Sequence, residues 1–407
     1  MKQKFYKKKL LAIFAGLVTV FIASFGDEMA VFTFLFAKVN SFSMVSTSLL
    51  MSCELLGGLS ASPISMMLLH KLKITTILKL IFLIPILLLV ISAKYQTSLI
   101  FYISSFILGA TIGIFWSVVS VLIPSNFTKE RLIDINKIVQ SIRNLGYCIV
   151  PFLAGLVNSI IGIQNTLLIV IFIFILAIPC SLFFLNRPIF SKYSANKNFI
   201  ASEQHLEKMT FLPKIISFFS LPKMKITLLP LIVTICTTST FNVAFMYLLL
   251  VHRHYPNSLY GIIVSAISLG LVLGPILFST FAKKAGVGFG ACCAATIIGL
   301  CVCLSGVNQS VAWLYIILFV LGMANGIQNT LMATLVMQTV PKKERRKLMP
   351  TYMFIIQFSV LSGFILAGQI HAQYAQQLLI VSGLIACSFG IVGAIGNLIA
   401  DKRHLHS

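Results

Sequence analysis

Three carboxylic acids stand where acids are costly. Asp27 and Glu28 interrupt an apolar run from Leu10 to Phe36, and Glu54 interrupts one from Val45 to Leu69, while the other six of the nine acids lie in polar segments. An ionised side chain at the centre of a membrane helix costs on the order of 3 kcal/mol by insertion scales. Carboxyls kept at such positions suit proton carriage, and several close together titrate as one coupled set. Asp27 lies nine residues from Phe36 and Glu54 nine from Val45. At about 1.5 Å per residue both are expected about 13 Å below the same membrane surface. Successive residues on a helix point about 100° apart, so Asp27 and Glu28 cannot both face one cavity. A proton crossing 100 mV yields about 2.3 kcal/mol, enough to drive an exchange. The bland alternative is that these acids bond to nearby backbone or pair with a base. The one well-embedded base is Arg143, whose run begins at Ile138 near the cytoplasmic side. From there a reach to Asp27 needs a long diagonal, so Arg143 is expected beside Glu130 or Asp134 at a cytoplasmic gate, or on an anionic cargo.

Uncharged polar residues in other apolar runs are the candidate cargo contacts: Trp116, Asn242, Tyr247, Asn325, Gln328, Asn329 and Gln357. Membrane amides serve as interhelical glue as often as they hold ligands. His252 and His254 flank Arg253 in an outer loop, where a solvated cluster is the plainer reading than a pH sensor.

The elements that must position these residues are membrane helices. Hydrophobic residues make up 58% of the 407 and charged ones 10%, against about a quarter charged in a soluble domain, so water is not the main solvent. Twelve runs reach the roughly 20 residues a spanning helix needs. The first four are Leu10 to Phe36, Val45 to Leu69, Ile74 to Ala93 and Ser98 to Ile123. Next come Ile138 to Ile161, Asn165 to Leu185, Ile226 to Val251 and Leu259 to Ala282. The last are Phe289 to Gly306, Val311 to Val340, Met349 to Ile370 and Gln377 to Ala400. Runs three and six are almost purely aliphatic and are expected to face lipid, whereas runs one, two, five, seven, ten and eleven carry the polar groups of a watered cavity. With the amino terminus inside, 28 of the 31 Lys and Arg fall in cytoplasmic segments, leaving Lys38, Lys94 and Arg253 outside. That asymmetry places both termini in the cytoplasm. Basic residues in every second loop, without interleaved aromatics, exclude a nucleic-acid face and point to lipid head groups as neighbours. The Lys-rich start resembles a signal peptide, but the apolar run resumes beyond Gly26, so it is expected to be retained. All nine cysteines lie within apolar runs without a CxxC, which argues against metal ligands or disulfides.

The long polar stretch from 187 to 225 divides an N-terminal bundle, 1 to 186, from a C-terminal one, 226 to 407. Tyr102, Ile103, Phe106, Leu108, Gly109, Gly113 and Ile114 recur, at one constant offset along the chain, as Tyr315, Ile316, Phe319, Leu321, Gly322, Gly326 and Ile327. Ile123-Pro124 with Lys129-Glu130-Arg131 likewise matches Val340-Pro341 with Lys343-Glu344-Arg345. The sequence thus predicts an all-α membrane protein of twelve transmembrane helices in two parallel six-helix repeats.

Gly26-Asp27 in run one, the Pro124, Asn136, Arg143, Gly146, Pro151, Gly155 series, and the Asn329, Gln338, Pro341, Arg345 series together resemble the major facilitator superfamily. The likeness is to its drug:proton antiporter branch, which includes macrolide-efflux proteins. The resemblance implies a major facilitator fold and an antiporter signature, GxxxGPxxGG, on helix five. Gly146, Pro151 and Gly155 keep that pattern, while Val150 and Ala154 replace two glycines. Small residues there also permit close helix packing. The family's acidic residue between helices two and three is replaced by Leu69, which removes a charge used to latch the cytoplasmic gate.

No GxxxxGK[ST], HExxH or GxSxG pattern is present, so an enzyme is not expected. The expectation is a monomeric plasma-membrane secondary transporter that exports a small amphiphilic molecule against protons, without cofactor or metal. The rivals are a proton-coupled or facilitated nutrient importer and a non-transporting receptor or assembly factor on the same fold.

Overall fold

The computed structural model describes residues 2–39, 43–126, 129–185, 219, 222–284, 286–307, 310–339 and 345–405. Most of the expected linker, 187 to 225, lies outside the described residues. The first helices are α1 (Lys2–Val39), α2 (Met44–Lys71), α3 (Ile74–Lys94), α4 (Ser98–Asn126) and α5 (Lys129–Leu185). Then come α6 (Pro222–Tyr247), closed by a π-helical turn Leu248–His252, α7 (Asn257–Lys284), α8 (Val287–Val307), α9 (Val311–Thr339), α10 (Arg345–Gly368) and α11 (Ala375–Leu405). An apolar solvent enforces this choice, because a helix satisfies its own backbone groups without water. Leu87, Leu99, Phe172 and Ile276 stand bare on helix surfaces, as acyl chains allow and water does not.

Among the described residues, ten helices are long and apolar enough to cross a membrane. Two places depart from the twelve separate runs. Leu145–Leu182 is one apolar stretch of 38 residues, broken at Gly162, whose φ of 80° suits a residue without a Cβ. Tyr352–Gly368 is apolar but shorter than the others.

The chain forms two compact units, Met1–Lys38 with Leu50–His205, and Val39–Leu49 with Leu206–Ser407. In the first, α3 packs on α4 and α5; in the second, α8 packs on α11 and α9, α7 on α9, and α6 on α10 and α11. The offset that relates Tyr102 to Tyr315 also carries both ends of α2, α3 and α4 onto both ends of α7, α8 and α9, to the residue. Their close approaches follow the same offset. A Cβ on Gly57 would strike the Phe106 carbonyl and one on Gly109 the Glu54 carbonyl, just as Gly270 meets Phe319 and Gly322 meets Ile267. Glycine lets paired helix backbones touch in lipid, and Gly109 thereby clamps the turn of α2 that carries Glu54.

Because the obstacle is backbone at both places, overpacking has nowhere to relax. Gly109→Val and Gly322→Val are each expected to cost at least about 3 kcal/mol, read as loss of the monodisperse peak in detergent size-exclusion chromatography. Gly162→Ala, where no heavy atom lies within 4 Å of an added Cβ, is expected to cost roughly 1–3 kcal/mol through backbone strain alone, since φ 80° with ψ 170° is a region essentially reserved to glycine.

Candidate functional site

In the first unit, α1 sends its two adjacent acids different ways. Asp27 is 4% exposed and lines a small void of about 10 Å³ with Ala23, Phe82, Pro85, Leu108 and Phe174. Its Oδ1 is buried without a hydrogen-bond partner. Glu28 is only half-buried, as is Glu54 on α2. The three acids expected from the sequence thus all stand in the first unit.

Arg143 on α5 is flanked by two aromatic rings. Its guanidinium stacks 4.5 Å from the Trp116 ring centroid and 5.4 Å from that of Tyr147. Nε and Nη2 donate to the Tyr147 hydroxyl at 3.4 and 3.2 Å. A delocalised, weakly hydrated cation suits such a ring-lined position. The side chains of Glu130 and Asp134, its expected partners, lie outside the described residues. Trp116, expected among cargo contacts, sits under this cation with its Nε1 buried and unpartnered. Tyr147 was missed in the sequence, although Arg143 and Tyr147 are four apart and so share a helix face.

Gly146 sets how closely α5 approaches α1. A Cβ on Gly146 would lie 3.4 Å from the Phe25 nitrogen, so α5 rides close against α1 two residues before Asp27. Pro151 and Gly155 are buried further along α5.

The second unit holds a cavity of about 290 Å³ of different character. Its polar lining is Thr238, Ser239 and Asn242 from α6, with Asn325, Gln328 and Asn329 from α9. Phe241, Ile267, Ile356 and Val360 supply apolar wall, and no lining residue is charged. Asn329 Nδ2 donates to Asn325 Oδ1 at 3.2 Å. Gln328 is 4% exposed and its Nε2 has no partner. Four of the expected cargo contacts, Asn242, Asn325, Gln328 and Asn329, are thus brought together.

Two others are placed elsewhere. Tyr247 is wholly buried; its hydroxyl donates to the Ser43 carbonyl and lies 3.2 Å from Thr47 Oγ1. Gln357 is exposed, on a different face of α10 from the lining residues Ile356 and Val360.

A family model described as the Major Facilitator Superfamily matches residues 16–368. Among curated proteins nothing matches. Among solved structures, the nucleoside transporter NupG is 13% identical, with 96% of this chain and 98% of that one covered at a TM-score of 0.75. A bacterial homologue of the iron transporter ferroportin in an inward-facing state is 12% identical over 95% and 98%, at 0.70. A POT family transporter in complex with a thioalcohol-conjugated peptide is 13% identical over 95% and 96%, at 0.69. At such identities the likeness is one of fold.

Proposed function

Because this chain belongs to the Major Facilitator Superfamily, a family of secondary transporters and not of enzymes, we propose that it exchanges protons for a small amphiphilic molecule, exporting it by alternating access. The observation that carries this reading is the placement of three acids inside helices of membrane-spanning length, Asp27 buried with an unpartnered Oδ1 and Glu28 and Glu54 half-buried. Protons load the acids, and cargo occupies the polar cavity of the second unit. Outward direction is supported by Gly146, Pro151 and Gly155 in the antiporter pattern.

The same reading includes twelve spans, with Leu145–Leu182 counted as two across Gly162 and Tyr352–Gly368 as one more, in two six-helix repeats divided by 187 to 225. The constant offset shared by helix bounds and glycine contacts supports it. It also includes a monomer in the plasma membrane with both termini in the cytoplasm, supported by the distribution of Lys and Arg.

Import of a small nutrient is the second reading, favoured by the amide lining of the cavity. A receptor or assembly factor is the third, suggested by Leu69 in place of an acid. A deletion strain screened against many amphiphilic compounds, with and without an uncoupler, separates them. Export predicts hypersensitivity that an uncoupler reproduces in the parent strain. A growth defect on a single nutrient supports import, and no phenotype supports the receptor reading.

A further inference from the structure

We infer that the cavity of the second unit recognises the uncharged, flat, amide-edged portion of a cargo, such as a carboxamide or lactam on a ring. The inference rests on the transporter reading above, but not on its proton coupling or direction.

Three observations converge. First, the site is built for hydrogen bonding yet left open: Gln328, only 4% exposed, keeps its amide nitrogen unpartnered. A buried donor without an acceptor is destabilising, so such a group is expected to have its acceptor supplied from outside the chain. Asn325 and Asn329, already bonded to each other, leave a donor and an acceptor edge free beside it. A primary amide pairs best with another amide-like edge, donor to acceptor and acceptor to donor, the geometry by which Asn and Gln read a base edge. Second, Phe241 gives the cavity an aromatic wall, itself stacked on Phe245 with centroids 4.6 Å apart; a flat ring packs against such a face.

Third, the repeat offset shows what this unit lacks. Phe241, Ile267 and Asn329 line the cavity at the places that Glu28, Glu54 and Trp116 hold in the first unit. Ile356 and Val360 correspond in the same way to Arg143 and Tyr147. Asp27 corresponds to Thr240, so every charged residue of the first unit's group has an uncharged counterpart in the second. A cationic or anionic cargo group entering there would shed water without meeting a counter-charge, which is strongly unfavourable. The cavity volume, about 290 Å³, is at the low end for small-molecule sites, so it fits one ring system and its substituent.

Benzamide, benzamidinium and benzoate share one flat shape and differ in charge, and they test the inference on the purified full-length protein in detergent. Saturable benzamide binding is read by isothermal calorimetry or by a shift in thermal midpoint. Benzamide is expected to bind at least about tenfold more tightly than either ion. Gln328→Leu and Asn329→Ala are each expected to weaken benzamide by about tenfold. Gln328→Leu is also expected to leave the ligand-free thermal midpoint unchanged or higher, since it removes an unpaired buried group. Leu99→Ala, an exposed position on α4 outside the pocket lining, is expected to leave benzamide affinity within about twofold. If either ion binds as well as benzamide, if benzamide does not bind, or if both pocket variants bind it normally, the inference is overturned. Charge discrimination that persists while proton coupling fails its own test would overturn the coupling and leave this pocket standing.

Discussion

Glu28→Gln combined with Glu54→Gln is expected to abolish proton-driven accumulation while leaving the protein folded. Glutamine keeps the volume and most of the hydrogen bonding of glutamate but cannot release a proton. One proton moving through 100 mV supplies about 2.3 kcal/mol, equivalent to about a fiftyfold concentration ratio. The double variant should therefore relax that ratio to unity in energised vesicles. Passive equilibration of the same compound should continue, because neither residue is among those lining the amide cavity. Both positions are half-buried, so removal of charge from them relieves desolvation and should not lower expression. Asp27→Asn is expected to act differently. Its carboxyl is enclosed by Phe82, Pro85, Leu108 and Phe174, so its effect should appear in folding yield as well as in transport.

Arg143→Ala is expected to eliminate coupled transport as completely as the double acid variant. It removes the base that the sequence embeds most deeply in the apolar runs of the first unit. It also uncovers the Trp116 and Tyr147 rings. Arg143→Lys separates these roles. Lysine keeps the charge but loses the planar stack and the forked donation to the Tyr147 hydroxyl. A stacking loss of about 1 kcal/mol corresponds to a drop of about fivefold, so this variant should retain transport at roughly a fifth of the normal rate. Equal, complete failure of both variants would indicate that planarity, not charge, is what the group requires.

Much of this arrangement was legible in residue types. Asp27, Glu28 and Glu54 stood out because an acid in an apolar run is costly, and the angular step of a helix separated Asp27 from Glu28. The repeat was legible because its offset survives in glycines, and glycines persist where backbones touch, as Gly109 and Gly322 do. The rings that flank Arg143 were not legible, because depth was reckoned along one helix axis. Tyr147 escaped notice because an aromatic in an apolar run looks like packing until its cation is found. Asn242, Asn325, Gln328 and Asn329 converge on one cavity, whereas Gln357 stands on another face of its helix. Periodicity within a helix that is apolar all round does not say which face meets the cavity. Tyr247 met the same difficulty, since its partners Ser43 and Thr47 stand far from it in sequence.

The most direct test of proton exchange is proton movement in proteoliposomes loaded with a pH-sensitive dye, on addition of the amphiphile to which the deletion strain proves most sensitive. The wild type should move protons at once, in the direction opposite to the compound, and Glu28→Gln with Glu54→Gln should not. Compound crossing the membrane with no proton signal, or an undiminished signal in that double variant, would contradict the account.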